Sequence, residues 1–358
     1  MRALGRFDRL SDWVGTRFGT NDGINDGIND GIIMYTPPFT VSAKAINLVA
    51  GISAQIERYS IRMEKNDSLK LRKANRIKTV HSSLAIEGNT LSEGDVTAIL
   101  EGKTVIAPQK QIIEVRNALK TYELYGSLNP YSVDDLLKAH RTMMSGLIDD
   151  AGIFRKKGVG VFDGTNIIHV APPAERVKEL VGDLFTWLSA STDHLLIRSC
   201  VFHYEFEFIH PFSDGNGRTG RLWQSLILGK LNAIFEYLPI ENMIYSHQKE
   251  YYEAISQSSS KGDSQPFIDF MLQVIYDTLV DHQGKSIEEI GQEFNLNKSE
   301  IQALSLIRAD KRIPAVKMAE KIGVKQRQAE RILLGLKTKG IIRREGANRN
   351  GFWEILIK

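Results

Sequence analysis

The sequence predicts a mainly α protein: a helical bundle carrying one β-hairpin, followed by a small winged helix-turn-helix module. Three observations lead there. Apolar residues recur at helical spacing from Thr40 to about residue 280. A single stretch, 159–170, switches to strand character around the turn Asp163-Gly164-Thr165-Asn166. The C-terminal part reads as three helices, a strand, a turn and a strand, and it is basic. Residues 311–350 hold 12 Lys and Arg against 3 Glu, a net +9 that leaves −6 for the rest of a chain totalling +3.

Taken in order, residues 1–39 read as a flexible arm. Asn-Asp-Gly-Ile recurs three times between Asn21 and Ile32, and Pro37-Pro38 stops regular structure. No acidic residue closes these repeats into a calcium loop. Residues 40–130 form an N-terminal helical region, with Ile46, Val49, Ile52 and Ile56 on one face of its first helix. Further helices are expected over about 69–86, Ser92 to Leu100 and Gln111 to Tyr125. Residues 131–282 form the central domain: a helix from Ser132 to Met144, the hairpin, a stop at Pro172-Pro173, then helices over 174–189, 194–208 and onward. The polar, acid-rich stretch 283–297 reads as a linker or linker helix. Residues 298–358 give helices at about 298–309, 314–321 and 325–339, with Gly323 in the turn between the last two. Strands at Ile341–Arg344 and Phe352–Ile357 complete the winged pattern.

Composition narrows the function classes. At 42% apolar and 25% charged residues the chain is of ordinary globular character. It has no run of about 18 apolar residues and no secretory n-region with an apolar h-region, so the expectation is a cytoplasmic protein without a membrane span. The lone Cys200 lies in an apolar helical pattern and reads as a buried structural thiol.

The densest chemistry lies in His210-Pro211-Phe212-Ser213-Asp214-Gly215-Asn216-Gly217-Arg218-Thr219-Gly220-Arg221. Glycines let backbone N–H groups approach a phosphate, and the apolar helix that follows (Leu222, Trp223, Leu226, Ile227, Leu228) adds the positive end of its dipole. His210, with an ordinary pKa of about 6.5, suits a general base. Asp214 is a hard oxygen ligand for Mg²⁺, and Phe212 suits the core. Each residue alone fits a capped helix start with surface arginines; their joint spacing favours function. His203 lacks such a context and reads as structural.

This segment resembles the signature of the Fic family, His-x-Phe-x-(Asp/Glu)-Gly-Asn-Gly-Arg-x-x-Arg, at every fixed position. The resemblance implies a Fic-type bundle with the hairpin as a flap. It also implies Mg-dependent transfer of AMP from ATP to a Tyr, Thr or Ser hydroxyl of a target protein. The kinase-like Doc branch usually departs from the Gly-Asn-Gly-Arg core, which this chain keeps. By that resemblance His210 is the base and Asp214 holds the metal, while Gly215, Asn216, Gly217, Arg218, Thr219, Gly220, Arg221 and Leu222 bind ATP. Ile167, Ile168, His169 and Val170 on the flap would line the nucleotide site. Tyr252, beside Tyr251, resembles a position near the adenine pocket, and both also fit core aromatics. Where the family often carries an adenine-contacting Asn, this chain has Ser258, Ser259 and Ser260.

Upstream, Ser83-Leu84-Ala85-Ile86-Glu87-Gly88 resembles the family's inhibitory motif, (Ser/Thr)-x-x-x-Glu-(Gly/Asn). The implied role of Glu87 is to pair with Arg221 and withhold it from ATP, with Ser83 part of the same motif. The edge of the 159–170 hairpin offers backbone pairing to an extended target segment. In the basic module, Lys325, Arg327, Gln328 and Arg331 on the second helix of the pair, with Arg343, Arg344, Asn348 and Arg349 around the wing, suit DNA phosphates; a protein-contact role suits them too. Helical Fic proteins commonly self-associate, so a homodimer is a further expected partner. Two other readings stay open: a DNA-binding regulator whose Fic domain senses nucleotide, and removal of AMP by the same residues.

Overall fold

The computed structural model describes residues 35–357, apart from 66–67, 164–165, 284–286 and 347–350. They divide into two units, Met1–Thr278 and Leu279–Lys358. The Asn-Asp-Gly-Ile repeats lie outside the described residues. The end of the expected arm, however, is tied down. Phe39 meets Trp187 edge-on with ring centroids 6.1 Å apart, Ser264 N–H donates to the Pro38 carbonyl, and Tyr35 reaches Glu205. Its prolines suit extended chain laid on a surface.

Helices of the first unit form close to where the periodicity puts them. Helix α1 (Ala43–Lys65) buries Ala45, Ile52 and Ile56, but Ile46 is 60% exposed, so its buried stripe is turned from the expected one. Helix α2 (Ser68–Ile86) carries Ser83 near its end. Helix α3 (Glu93–Leu100) starts at a capping box, the Ser92 hydroxyl accepting from Asp95 N–H while the Asp95 carboxylate accepts from Ser92 N–H. Helices α4 (Gln109–Glu123) and α5 (Val133–Met144) follow, α5 capped by Ser132. The hairpin pairs β1 (Gly160–Asp163) with β2 (Asn166–Val170), and its register shifts after Val161, a bulge that bends the ribbon.

Helix α6 (Val177–Ala190) leads to the two helices that fix the site. In α7 (Leu195–Ile209) all but three of the fifteen residues are buried, and α8 (Asn216–Gly229) is buried almost throughout. A helix covered on every side belongs at the centre of its unit. Helices α7 and α8 pack on each other, and the signature loop is the turn between them. Cys200 is buried in α7, and burial pushes its thiol up to about 12, the inert state expected of it. Helices α9 (Ile240–Ser246), α10 (Gln248–Lys261) and α11 (Gln265–Gln283) complete the unit. Among the described residues no helix is long and apolar enough to cross a membrane.

In the second unit, α12 (Ile287–Glu293) corrects one expectation. Its Ile287 and Ile290, with Leu296, belong to a core shared with Ala303, Leu304, Met318 and Leu336, so 283–297 is no free linker. The acidic residues around these three apolar side chains hid them in the composition. Helices α13 (Lys298–Ala309), α14 (Ala315–Ile322) and α15 (Gln326–Thr338) follow, with Gly323 at φ 80° ending α14. Strands β3 (Ile342–Glu345) and β4 (Phe352–Ile355) pair antiparallel, Arg344 opposite Trp353. The start of α13 is a capping box between Asn297 and Glu300, and Glu300 also takes Lys339 at 2.9 Å. Asn297→Ala is expected to destabilise this unit by about 1 kcal/mol in denaturant unfolding of the full chain. An unchanged second-unit transition would show that the cap contributes nothing.

Candidate functional site

His210 follows the last residue of α7 in the left-handed region (φ 49°, ψ 61°), its N–H bonded to the Phe206 carbonyl at 2.9 Å. For a residue other than Gly this costs about 1 kcal/mol or more and persists only where the surroundings enforce it. Arg155 does so. This buried side chain donates to the carbonyls of His210 (2.7 Å), Ile209 (3.2 Å), Lys157 (2.9 Å) and Pro172 (2.6 Å), joining both feet of the hairpin to the turn that bears His210. Sequence reasoning missed Arg155, and its isolated position in the chain carries no signal.

The loop from Phe212 to Gly215 is fixed from inside. Fully buried Phe212 stacks on His140 with centroids 3.6 Å apart and planes within 5°. Gly152 N–H donates to His140 Nδ1 at 2.8 Å, which leaves the proton on Nε2 to donate to the Asp214 carbonyl at 2.9 Å. Burial lowers the His140 pKa to about 4, so the ring stays neutral. Asn216 spends both ends of its amide on the Phe212 main chain, 2.9 Å each, and shapes the loop. Gly215, at φ 83°, has no room for a Cβ beside Met144.

Beyond the loop the expected ligand residues separate. Arg221 faces the cleft: it donates through Nε to Ser83 Oγ at 3.2 Å, and through Nη2 to the Ser83 carbonyl at 2.9 Å and to Glu87 Oε1 at 2.7 Å. Burial pulls its guanidinium down, but Glu87 beside it holds it above its ordinary value. Arg218 instead meets Asp214 at 3.1 Å and Glu114 at 3.9 Å, and Glu114 also accepts from Asn89 at 2.8 Å. Three expected ATP contacts point elsewhere. Thr219 is buried with its hydroxyl on the Gly215 carbonyl, Leu222 is fully buried, and Gly220 lies against Glu207, Phe206 and His203. Helix geometry explains Thr219 and Leu222, which point away from the face that carries 217 and 221.

Glu87 is delivered by a helix stop. Helix α2 ends at Ile86, Gly88 takes φ 86°, and the N–H groups of Glu87 and Asn89 both bond the Leu84 carbonyl. Gln248 donates to the Ile86 carbonyl at 3.1 Å. The Glu87 carboxylate then lies over Gly217 in the first turn of α8, where a Cβ on Gly217 would collide with it. A carboxylate thus occupies the anion position made by the α8 N-terminus and Arg221.

These groups open on one cleft, lined by Glu87, Glu207, His210, Gly217 and Arg221 and by Tyr204, Phe208, Tyr251, Tyr252, Ile255 and Ser259. A polar, cationic set thus shares one concavity with aromatic wall. Tyr251 is also a core residue, bonded to His203 at 3.1 Å, whereas Tyr252 is half-buried. Ser259 bonds Tyr204 at 3.0 Å, and Ser258 caps Phe267 N–H at 3.1 Å. Ile167, Ile168, His169 and Val170 form β2, which lies against α10, the helix bearing both tyrosines. His210 departs from its ordinary pKa: burial, reinforced by Arg155, lowers it to about 4. Asp214 carries the only metal-ligand role expected, and no group of three or more His, Cys, Asp or Glu able to hold a metal occurs among the described residues.

The Fic/DOC family model matches residues 130–228, which contain α5, the hairpin and the α7–loop–α8 unit. The protein adenylyltransferase fic-1 of Caenorhabditis elegans is 34% identical over 204 residues, covering 54% of this chain and 38% of that protein. The protein adenylyltransferase Fic of Nematostella vectensis is 31% identical over 204 residues, covering 54% and 45%. The chain therefore spans less than half the length of these two relatives. A solved Fic family protein from Desulfovibrio desulfuricans superposes with a TM-score of 0.67 at 37% identity, covering 90% of this chain and 99% of that one. With that likeness running through nearly the whole of both chains and the signature set between two buried helices, this chain belongs to the Fic family.

Proposed function

We propose that this chain transfers AMP from ATP to a hydroxyl side chain of a target protein, and that its own Glu87 holds it inactive. One observation carries the reading: the Glu87 carboxylate sits between Arg221 and the N-terminus of α8, beside His210, where a nucleotide's phosphates belong. The relatives named as adenylyltransferases support the reaction class.

The reaction needs a hydroxyl oxygen to form a bond to the α-phosphorus while the bond to the departing pyrophosphate breaks. His210 Nε2 accepts the hydroxyl proton, its Nδ1 side being turned to the Glu207 carbonyl at 3.4 Å. With Glu87 withdrawn, Arg221 and the α8 N-terminus answer the outer phosphates. Asp214 fits a Mg²⁺ ion that takes most of its ligands from phosphates and water, since a half-exposed single carboxylate is what the chain supplies. Such an ion would neutralise phosphate charge and would be held by Asp214, beside Arg218, which now pairs with that carboxylate. The outer edges of the two-stranded hairpin offer main-chain pairing to an extended target segment.

A second surface supports a further partner. On α15, Lys325, Arg327, Gln328 and Arg331 are exposed, while Ala329, Leu333 and Leu336 face the core. The wing is less open to DNA than its sequence suggests: Arg343 pairs with Glu345 and Glu354, and Arg344 covers the Trp353 ring at 4.9 Å. Asn348 and Arg349 lie outside the described residues. We infer that DNA contact, if tested, runs through α15.

Three outcomes test these readings. Incubated with labelled ATP and a cell lysate, wild type labels weakly and Glu87→Gly at least about tenfold more. Adding His210→Ala to that variant lowers labelling by about 10²–10⁴-fold. Equal labelling by all three proteins would exclude the proposed site. In Glu87→Gly, acid inactivation through His210 sets in only as pH falls toward about 4, because the neutral ring is the basic form above that value; an acid limb at its ordinary position would show the ring solvated in the working enzyme. Binding to duplex DNA is expected to weaken steeply with salt, and Arg327→Ala and Arg331→Ala each to reduce the salt slope by about one. Salt-insensitive binding, or none, would remove the DNA reading.

A further inference from the structure

One buried carboxyl plays no part in the steps above. Glu207 lies in the last turn of α7, with His203 one turn back and His210 just past the helix end, so that residues 203, 207 and 210 share a face. Its side chain is nearly buried, and Oε1 has no hydrogen-bond partner among the described residues. That oxygen is 4.0 Å from His203 Nε2, and Oε2 is 3.9 Å from His210 Nδ1. The Glu207 main-chain carbonyl faces the same Nδ1 at 3.4 Å. A buried carboxyl with an unanswered oxygen is costly, and such groups persist where they have a task. Space is kept for it: a Cβ on Gly220 would stand 3.0 Å from Oε1, so the glycine at this variable position leaves room for the side chain.

We propose that Glu207 is the positioning residue of His210. Its carbonyl and its carboxylate together face Nδ1, hold Nε2 toward the cleft, and answer the positive charge the ring gains when Nε2 takes the hydroxyl proton. The inference rests on His210 being the base of the proposed AMP transfer. In proton terms, the target hydroxyl gives its proton to Nε2, the Nδ1–H stays in place facing Glu207, and the imidazolium later returns a proton to solvent. Glu207 forms no covalent bond.

Other charged and titratable groups surround the pair: Tyr251 and Tyr252 from α10, Arg221 from α8, Glu87 beyond α2, Arg155 before the hairpin and Asp214 in the loop. Burial raises the Glu207 carboxyl to about 8, with Arg221 opposing and Glu87 reinforcing the rise. Above that pH the carboxylate form prevails and makes His210 the stronger base, so the rate constant rises with pH through this range. The added negative charge beside the phosphates raises KM for ATP in the same range.

The test compares Glu87→Gly with Glu87→Gly carrying Glu207→Gln, which keeps the volume and removes the charge. We expect kcat at pH 8.5 to fall at least about tenfold, because a unit charge about 4 Å from the forming imidazolium is lost. The rise of kcat and KM near pH 8 should vanish with it. Independently of any activity, the His210 ring resonances in the full chain should shift as pH rises through about 8, where Glu207 ionises beside the neutral ring, and that step should be absent in Glu207→Gln. A changed titration in a protein that never transfers AMP would sink the functional reading and keep the pairing. Robust transfer with an unmoved titration and pH profile would overturn the proposal. Glu207→Asp, which restores a carboxylate, should recover part of the alkaline rise; a loss equal to that of Gln would count against charge as the cause.

Discussion

Arg221 is a cation that the fold has taken out of water, with a side chain only 2% exposed. A buried guanidinium has to be answered by an anion, because leaving one unpaired costs several kcal/mol. The α8 N-terminus beside it adds positive potential of its own. Two partners fit that position, the Glu87 carboxylate of the same chain and the phosphates of a nucleotide. On the proposed reading, inhibition and substrate binding are one electrostatic requirement met in two ways. Ser83 sharpens the first, since its hydroxyl and carbonyl hold the same guanidinium in line with Glu87.

The requirement is set by rigid surroundings. Helices α7 and α8 are buried on nearly every face, so the turn between them has little freedom to adjust. Arg155 fastens it to the hairpin feet, His140 supports Asp214 and stacks on Phe212, and Asn216 closes the loop on itself. That turn holds His210 in a strained conformation, and α8 beyond it holds the Arg221 cation out of solvent. The polar chain from Asn89 through Glu114 to Arg218 and Asp214 joins the proposed inhibitory segment to the proposed metal ligand by a second route.

Much of this was legible in the sequence where the signal is local. The signature loop, the helices beginning at Ser92 and Ser132, the stop at Gly323 and the pairing of Glu87 with Arg221 all follow from short spacings or a resembling motif. What stayed hidden depends on contacts between distant residues. Arg155 meets carbonyls more than fifty positions away, and His140 stacks on a ring seventy-two positions on. Thr219 and Leu222 lie within and just after the signature, yet helical phase turns them into the core. Residues 283–297 looked like a linker because acidic side chains outnumber the isoleucines that α12 buries. Glu207 was readable in principle, since 203, 207 and 210 recur on one helix face, but a histidine one turn before a carboxyl is more often structural.

The central claim is that Glu87 and the outer phosphates of ATP compete for one cation. Calorimetric binding of ATP and of AMP to the full-length wild type and to Glu87→Gly tests it most directly. Competition predicts that Glu87→Gly binds ATP at least about tenfold more tightly while its affinity for AMP, which lacks the outer phosphates, changes little. Equal ATP affinity in the two proteins, or the same gain for AMP as for ATP, would contradict it.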